Sequence, residues 1–326
     1  MSESPPTGTA DPLKVISIIG DTRSGSTIVD NILGAYDGFF PTGELHYLWE
    51  RGLLESRKCG CGRKMRECAI WSRIIDRVFE DPQLSSAGAV GVVVLQRRTV
   101  RTRHTLRLLR STGARHEANA YVRAYARAVG RLYESIAEVT GARVIVDSSK
   151  RPSDAALVRL LPGIESYVVH LVRDPRAVTF SWLRKKKELD SERHPEMPRH
   201  GSLYSSVRWL GINTMADIVR RRESLGHSLL VRYEDFVANP RATIERIVNA
   251  VGEPLRPSPF LGEREVQLAP NHTVAGNPSR FKSGLIQLRD DRDWRTALGD
   301  GDRLLTTTIS MPLLHHYGYS IRSKTG

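Results

Sequence analysis

The run VISIIGDTRSGSTIVDNIL, from Val15 to Leu33, most narrowly limits the folds open to this chain. Val15, Ile16, Ile18 and Ile19 are β-branched and read as a buried strand that stops at Gly20. A polar turn with a second glycine, Gly25, follows, and an amphipathic helix opens near Ser26 and Thr27. Such a turn aims several backbone N–H groups and the positive end of the helix dipole at one small volume. An anion is the natural occupant.

Gly20, Gly25 and Thr27 fit the P-loop pattern, but the position of its lysine holds Ser26. A P-loop kinase uses that lysine on the transferred phosphate and a Ser/Thr hydroxyl on Mg²⁺. Here the cation is Arg23, whose planar guanidinium can grip a phosphate or sulfate in bidentate fashion. Arg23, Ser24, Gly25, Ser26 and Thr27 therefore read as an anion-binding loop poorly equipped for ATP hydrolysis.

Further β-branched runs recur at Val144 to Val146, Tyr167 to Val172 and Leu229 to Val231, with helical patterns between them. Strands separated by helices imply an α/β fold with a parallel sheet and right-handed crossovers. Amphipathic segments at about 91–110 and 116–139 fall between the first two strong strands and read as a helical insertion, or cap, over about 70–140. At 326 residues the chain suits one α/β domain over 13–326, preceded by a floppy polar tail over 1–12. The Pro/Gly-rich stretch 252–278 reads as a long ordered loop. No run approaches the ~20 apolar residues of a membrane span, and the polar start lacks a signal-peptide core, so a cytoplasmic protein is expected.

The formal charge of +13 comes mostly from arginine, which favours an anionic ligand. Nucleic acid is not expected, because zinc-finger spacing, an aromatic RNP-like segment and a basic tail are all missing from the sequence. Much of the excess lies between Arg97 and Arg131. Those arginines suit a solvated helical surface first, and recruitment of an acidic substrate second.

The segment YVVHLVRDPRAVTFSW, 167–182, repeats the first motif's logic. Arg173 leaves a strand end and Ser181 follows eight residues later, about two turns into the next helix, so both can reach one phosphate. His170, inside the apolar strand, reads as a core residue.

RSGST at 23–27 with LVRDPRAVTFS at 171–181 resembles the PAPS-dependent sulfotransferase family. The resemblance implies that the first loop holds the 5′-phosphosulfate of 3′-phosphoadenosine 5′-phosphosulfate (PAPS), and that Arg173 and Ser181 hold its 3′-phosphate. RYEDFVANP at 232–240 resembles the family segment beside the adenine, making Tyr233 the matching contact. NHTVAGNPSRFKSG at 271–284 resembles the loop that closes over the 3′-phosphate, with Arg280, Lys282 and Gly284 as matching positions.

The phenol and steroid branch has a lysine where Arg23 stands and takes its base from a Lys-Thr-His segment. VDSSKRP at 146–152 has no histidine. The loop instead resembles the carbohydrate and tyrosylprotein branches and several bacterial enzymes. In the tyrosylprotein branch a Glu lies 21 residues after the loop Arg, the position of Glu44, and a catalytic Lys precedes an X-Pro step, as Lys150 does.

Sulfuryl transfer proceeds in line through a loose transition state, so positioning and charge stabilisation dominate and no metal is required. Glu44 is the expected general base for a hydroxyl acceptor. His46 is the rival, sharing Glu44's face only if the local chain is extended. All three cysteines sit in KCGCGRKMREC, 58–68. The pattern suggests a local bridge or a metal clip, but free thiols in a tight turn are expected first: a cytoplasmic setting argues against a stable disulfide, and a metal clip would need a fourth ligand from elsewhere, such as His46. The alternative functions are a P-loop-type kinase, using Asp147 for magnesium, and a non-catalytic nucleotide- or nucleic-acid-binding protein.

Overall fold

A computed structural model describes residues 12–111, 119–191 and 196–321. Nearly all of the tail expected over 1–12 lies outside the described residues. Strand β1 (Leu13–Ile19) runs through the anion loop into helix α1 (Ser26–Leu33), and β2 (Phe39–Gly43) follows. A 3₁₀ turn and a π-helical stretch (Leu48–Leu54) come next, then, among the described residues, four α-helices: α2 (Ala69–Phe79), α3 (Pro82–Thr99), α4 (Thr105–Arg110) and α5 (Ala120–Thr140). The chain continues as β3 (Val144–Lys150), α6 (Pro152–Val158), β4 (Ile164–Val172), α7 (Pro175–Leu183), α8 (Ser202–Arg220) and β5 (Ser228–Arg232). It ends with α9 (Tyr233–Ala238), α10 (Pro240–Ala250), β6 (Glu265–Leu268), β7 (Gly284–Gln287), α11 (Trp294–Ala297) and α12 (Asp300–His316).

Five strands form a parallel sheet in the order β2-β3-β1-β4-β5. The strand feeding the anion loop is therefore central, with both faces covered. Val15 and Ile19 face a core shared with α5, α6 and the insertion helices, while Ile16 and Ile18 face one shared with α1 and α10. This two-residue alternation is the strand period expressed in a doubly covered sheet.

Four strands expected from sequence are present as β1, β3, β4 and β5. The fifth, β2, reads FFPTG and was not expected. Its proline is tolerated because β2 pairs only with β3 and forms a sheet edge. The long loop 252–278 also departs from expectation, since β6 lies within it and pairs antiparallel with β7. The segment 91–110 is divided: α3 ends at Thr99, a 3₁₀ turn spans Thr102–His104, and α4 follows. Residues 112–118, the start of the second amphipathic segment, lie outside the described residues. No helix among the described residues is long and apolar enough to cross a membrane.

Candidate active site

At the carboxyl edge of β1 the loop is built from unusual backbone. Gly20 has φ 133° and Gly25 φ 89°, conformations that a side chain resists. Arg23 adopts φ 67° without being glycine, a strained state that the surroundings must enforce. Arg173 contributes, its Nη1 donating to the Arg23 carbonyl at 3.1 Å, while Ser24 Oγ closes the turn onto the Asp21 carbonyl. The Arg23 guanidinium lies 4.9 Å from the Trp182 ring centroid. Burial lowers the pKa of its side chain, with Glu44 opposing that effect. The side chain is thus held by an aromatic face and remains on the wall of the cavity.

Lys150 ends β3 with φ 67°, where the β1–β3 register shifts and Ile19 comes opposite it. Its carbonyl accepts from Gly20 N–H at 3.2 Å, joining the strand end to the loop. Its Nζ donates to Glu44 Oε1 at 2.6 Å, and the two side chains are 8% and 15% exposed. Glu44 leaves β2 through Gly43, whose φ is 67°, and its backbone N–H donates to the Ala275 carbonyl at 3.0 Å. Two residues far apart in sequence are thereby fixed as one ion pair beside the anion loop.

Arg23, Gly25, Ser26, Thr27, Glu44, Lys150, Arg173, Ser181 and Tyr233 line one cavity of about 400 Å³. Arg173 lies 4.4 Å from the Tyr233 ring centroid, and that ring rests where a Gly25 side chain would go. Buried polar atoms of the cavity lining that lack a hydrogen-bond partner among the described residues include Thr22 Oγ1, Ser26 Oγ and Arg173 Nε, whereas Arg208 Nε and Asp21 answer each other as an ion pair. Buried orphans of this kind fit an oxyanion ligand. Ser24 is buried, with its hydroxyl committed to Asp21.

The late loop is placed differently from expectation. Arg280 is 1% exposed, and its guanidinium donates to the Thr273 and Lys58 carbonyls, each at 2.7 Å, and to Asp190 Oδ2 at 3.1 Å. Its donors are spent on the fold. Lys282 is exposed and Gly284 opens β7; neither lines the cavity. Gly276, Asn277 and Ser279 line it instead, and Asn277 N–H donates to Thr27 Oγ1 at 3.1 Å.

The sequence reading also missed Lys186 and Arg208. Lys186 Nζ donates to Ser181 Oγ at 3.1 Å. Burial first, then Arg23, Arg184 and Arg173, brings its pKa down to about 8. Arg208, from α8, pairs with the fully buried Asp21 at 2.9 Å. Its sequence signal was one arginine within a helical pattern that also carries Arg220.

A second cavity of about 280 Å³ shares Thr22, Glu44, Tyr47, Lys150 and Arg208 with the first. Its other walls include Arg97 and Arg101 from the insertion, Arg151 and His46. His46 lies in a 3₁₀ turn, Leu45–Tyr47, not an extended chain, and lines this second cavity alone of the two. Its backbone N–H donates to Ser149 Oγ at 3.1 Å and its carbonyl accepts from Gln96 at 2.9 Å. Burial, with Arg151, Lys150 and Arg51 nearby, pushes its pKa well below the ordinary histidine range. His170 is a buried core residue, its Nε2 3.0 Å from Asn213 Oδ1.

A parallel sheet with an anion loop at its central strand, a second cationic grip on the neighbouring strand and a carboxylate–ammonium pair between two cavities defines a P-loop-like α/β enzyme. A family model described as "Sulfotransferase family" matches residues 16–257, and the chain belongs to that family. Carbohydrate sulfotransferase 2 from Mus musculus and from Homo sapiens are each 31% identical over 196 residues, 48% of this chain. The matched region is 36% of each relative, so the similarity spans about a third of their length. Among solved structures, the sulfotransferase domain of the Synechococcus PCC 7002 olefin synthase is similar in fold, with TM-score 0.50 and 18% identity. That likeness covers 96% of this chain and 98% of the domain.

Proposed function

We propose that this sulfotransferase moves the sulfuryl group of PAPS to a hydroxyl of an anionic small-molecule, carbohydrate or lipid acceptor by in-line displacement, with Glu44 as general base. The observation that carries the reading is the Glu44–Lys150 pair, which lines both cavities at once. In this reading the acceptor hydroxyl enters from the cavity lined by Arg97, Arg101 and Arg151, which Glu44 also lines. Of the four arginines around the acceptor side, counting the shared Arg208, Arg97 pairs with Glu50, Arg151 with Asp154 and Arg208 with Asp21, so Arg101, with no ion pair among the described residues, is the cation that would favour an acceptor carrying negative charge.

PAPS supplies an activated sulfuryl group on a phosphate leaving group, and the orphaned Thr22, Ser26 and Arg173 atoms fit such a polyanion. In this reading Arg23, Ser24, Gly25, Ser26 and Thr27 hold the 5′-phosphate. Arg173, Ser181 and Lys186 hold the 3′-phosphate, and Tyr233 flanks the base. Lys150 orients Glu44 and faces the charge that builds on the departing phosphate, a role worth roughly 3–4 kcal/mol for a well-aimed donor. Glu44 takes the hydroxyl proton.

The kinase alternative loses its magnesium acid. Asp147 is 6% exposed, accepts from Tyr133 Oη at 2.8 Å and Ser149 N–H at 2.9 Å, and lines neither cavity. The test is sulfate transfer from PAPS to a panel of anionic and neutral hydroxyl compounds, using wild type, Glu44→Gln, Glu44→Ala and His46→Ala. Both Glu44 variants should lose about 10²- to 10⁴-fold in kcat. Near-wild-type kcat in both would remove Glu44 from the mechanism, and a larger loss in His46→Ala would make His46 the base.

A further inference from the structure

The three cysteines meet a histidine that the sequence did not single out. Cys59, Cys61, Cys68 and His272 bring one ligand atom each to within 4.8 Å of all the others. Cys68 Sγ lies 3.2 Å and Cys59 Sγ 3.8 Å from His272 Nδ1. A tetrahedral zinc with Zn–S of about 2.3 Å and Zn–N of about 2.0–2.1 Å has ligand–ligand edges of roughly 3.5–3.8 Å. The two sulfur–nitrogen distances bracket that edge. His46, the fourth ligand considered from sequence, lies outside this group.

The backbone is shaped to hold the thiols. Cys59 N–H donates to the Arg63 carbonyl and Gly62 N–H to the Cys59 carbonyl, both at 2.8 Å, folding CGCGR into a knuckle. Gly62 takes φ 86°, and a side chain at Gly60 would collide with Asn271 and Thr273. Cys59 and Cys68 are fully buried. The histidine is fixed from behind, its carbonyl accepting from Trp71 Nε1, while Gly60 N–H donates to the Thr273 carbonyl at 2.9 Å.

We propose that Cys59, Cys61, Cys68 and His272 bind one structural Zn²⁺ ion. Three thiolates and an imidazole form a closed, soft, four-coordinate set that leaves no open position for a substrate. The close spacing selects a single ion, because an iron–sulfur cluster holds its thiolates further apart. Three thiolates around Zn²⁺ carry a net charge of −1, and the buried Arg280 stands beside Cys59 to offset it. A disulfide would use two thiols and leave the third and the imidazole unemployed, and all three cysteines are unbridged.

The site has a mechanical consequence. It ties the knuckle at 58–68 to the chain at His272, four residues before Gly276, where the late loop reaches the donor cavity. The metal is outside the reaction and clips the loop that borders it.

The experiment is metal analysis of the full chain, expressed in zinc-supplemented medium and gel-filtered, with the chain reconstituted with Co²⁺ in parallel. About one zinc per chain is expected, together with intense tetrahedral d–d and thiolate-to-cobalt charge-transfer bands. Cys61→Ser changes the less buried thiol and should weaken metal retention at least tenfold, with Cys61→His restoring it. Below a tenth of an equivalent of zinc, with no cobalt bands, the proposal is overturned. So is a disulfide found in the freshly purified chain, or a Cys61→Ser variant that retains zinc as wild type does.

Discussion

Lys186 shows how residue chemistry and site position combine. A lysine brought down to about pKa 8 by burial and three arginines is poised to gain charge when an anion arrives. The protonated form grips phosphate, so affinity for 3′,5′-bisphosphoadenosine should fall as pH climbs through about 8, and Lys186→Met should flatten that dependence. Calorimetric titration between pH 7 and 9 measures it; an equally steep profile in the variant would exclude Lys186. For folding the sign is opposite: between about 8 and the ordinary lysine range the unfolded chain binds more protons, so the strain on the free protein eases as pH rises. Arg23→Ala should lower kcat by a factor of roughly hundreds, the loss of one well-aimed donor to the leaving phosphate. Single-turnover transfer from PAPS measures it, and an unchanged rate would contradict the role.

That Arg23, Arg173 and Ser181 line one cavity was legible because each is tied to a strand end or to a fixed spacing from one, whereas Glu44, Lys150 and Tyr233 were reached through the family resemblance. Lys186 and Arg208 were not legible: their approach depends on how the chain turns after α7 and on which face of α8 meets the sheet. Arg280 misled because its sequence position matched while its guanidinium is consumed by two carbonyls and Asp190.

Between strand and helix, the β1–α1 connection is the element that matters most. Gly25 has φ 89° and lies against the Tyr233 ring, so Gly25→Ala carries left-handed strain of about 1–2 kcal/mol and also displaces the tyrosine. The variant should melt several degrees lower and bind 3′,5′-bisphosphoadenosine more weakly; thermal denaturation with and without that ligand tests both. Unchanged binding would mean that Tyr233 is not part of the donor site. The strands with β-branched runs were readable, and so was the helix at Ser26. Phe39–Gly43 was not, because a five-residue edge strand containing proline carries almost no periodic signal. The β6–β7 hairpin was hidden for a related reason: each strand has four residues, and their pairing is set by tertiary contact more than by local propensity.

At the scale of the whole molecule, the order β2-β3-β1-β4-β5 brings the ends of β1, β2, β3 and β4 to one edge, where two cavities share Glu44 and Lys150. The α/β class followed from strand–helix alternation, but the second cavity did not. It depends on α3 and the turn after it delivering Arg97 and Arg101 over the sheet edge, a packing result invisible to spacing. In the proposed reading, that arrangement separates a donor side from an arginine-lined acceptor side. The donor assignment is the claim on which the others rest. Calorimetric binding of 3′,5′-bisphosphoadenosine, compared with adenosine 5′-monophosphate on the same chain, tests it most directly. The bisphosphate should bind about 10- to 100-fold more tightly, the worth of charge-assisted contacts to the 3′-phosphate, and Arg173→Ala should abolish the difference. Equal binding of the two nucleotides, or a preference that survives Arg173→Ala, would contradict it.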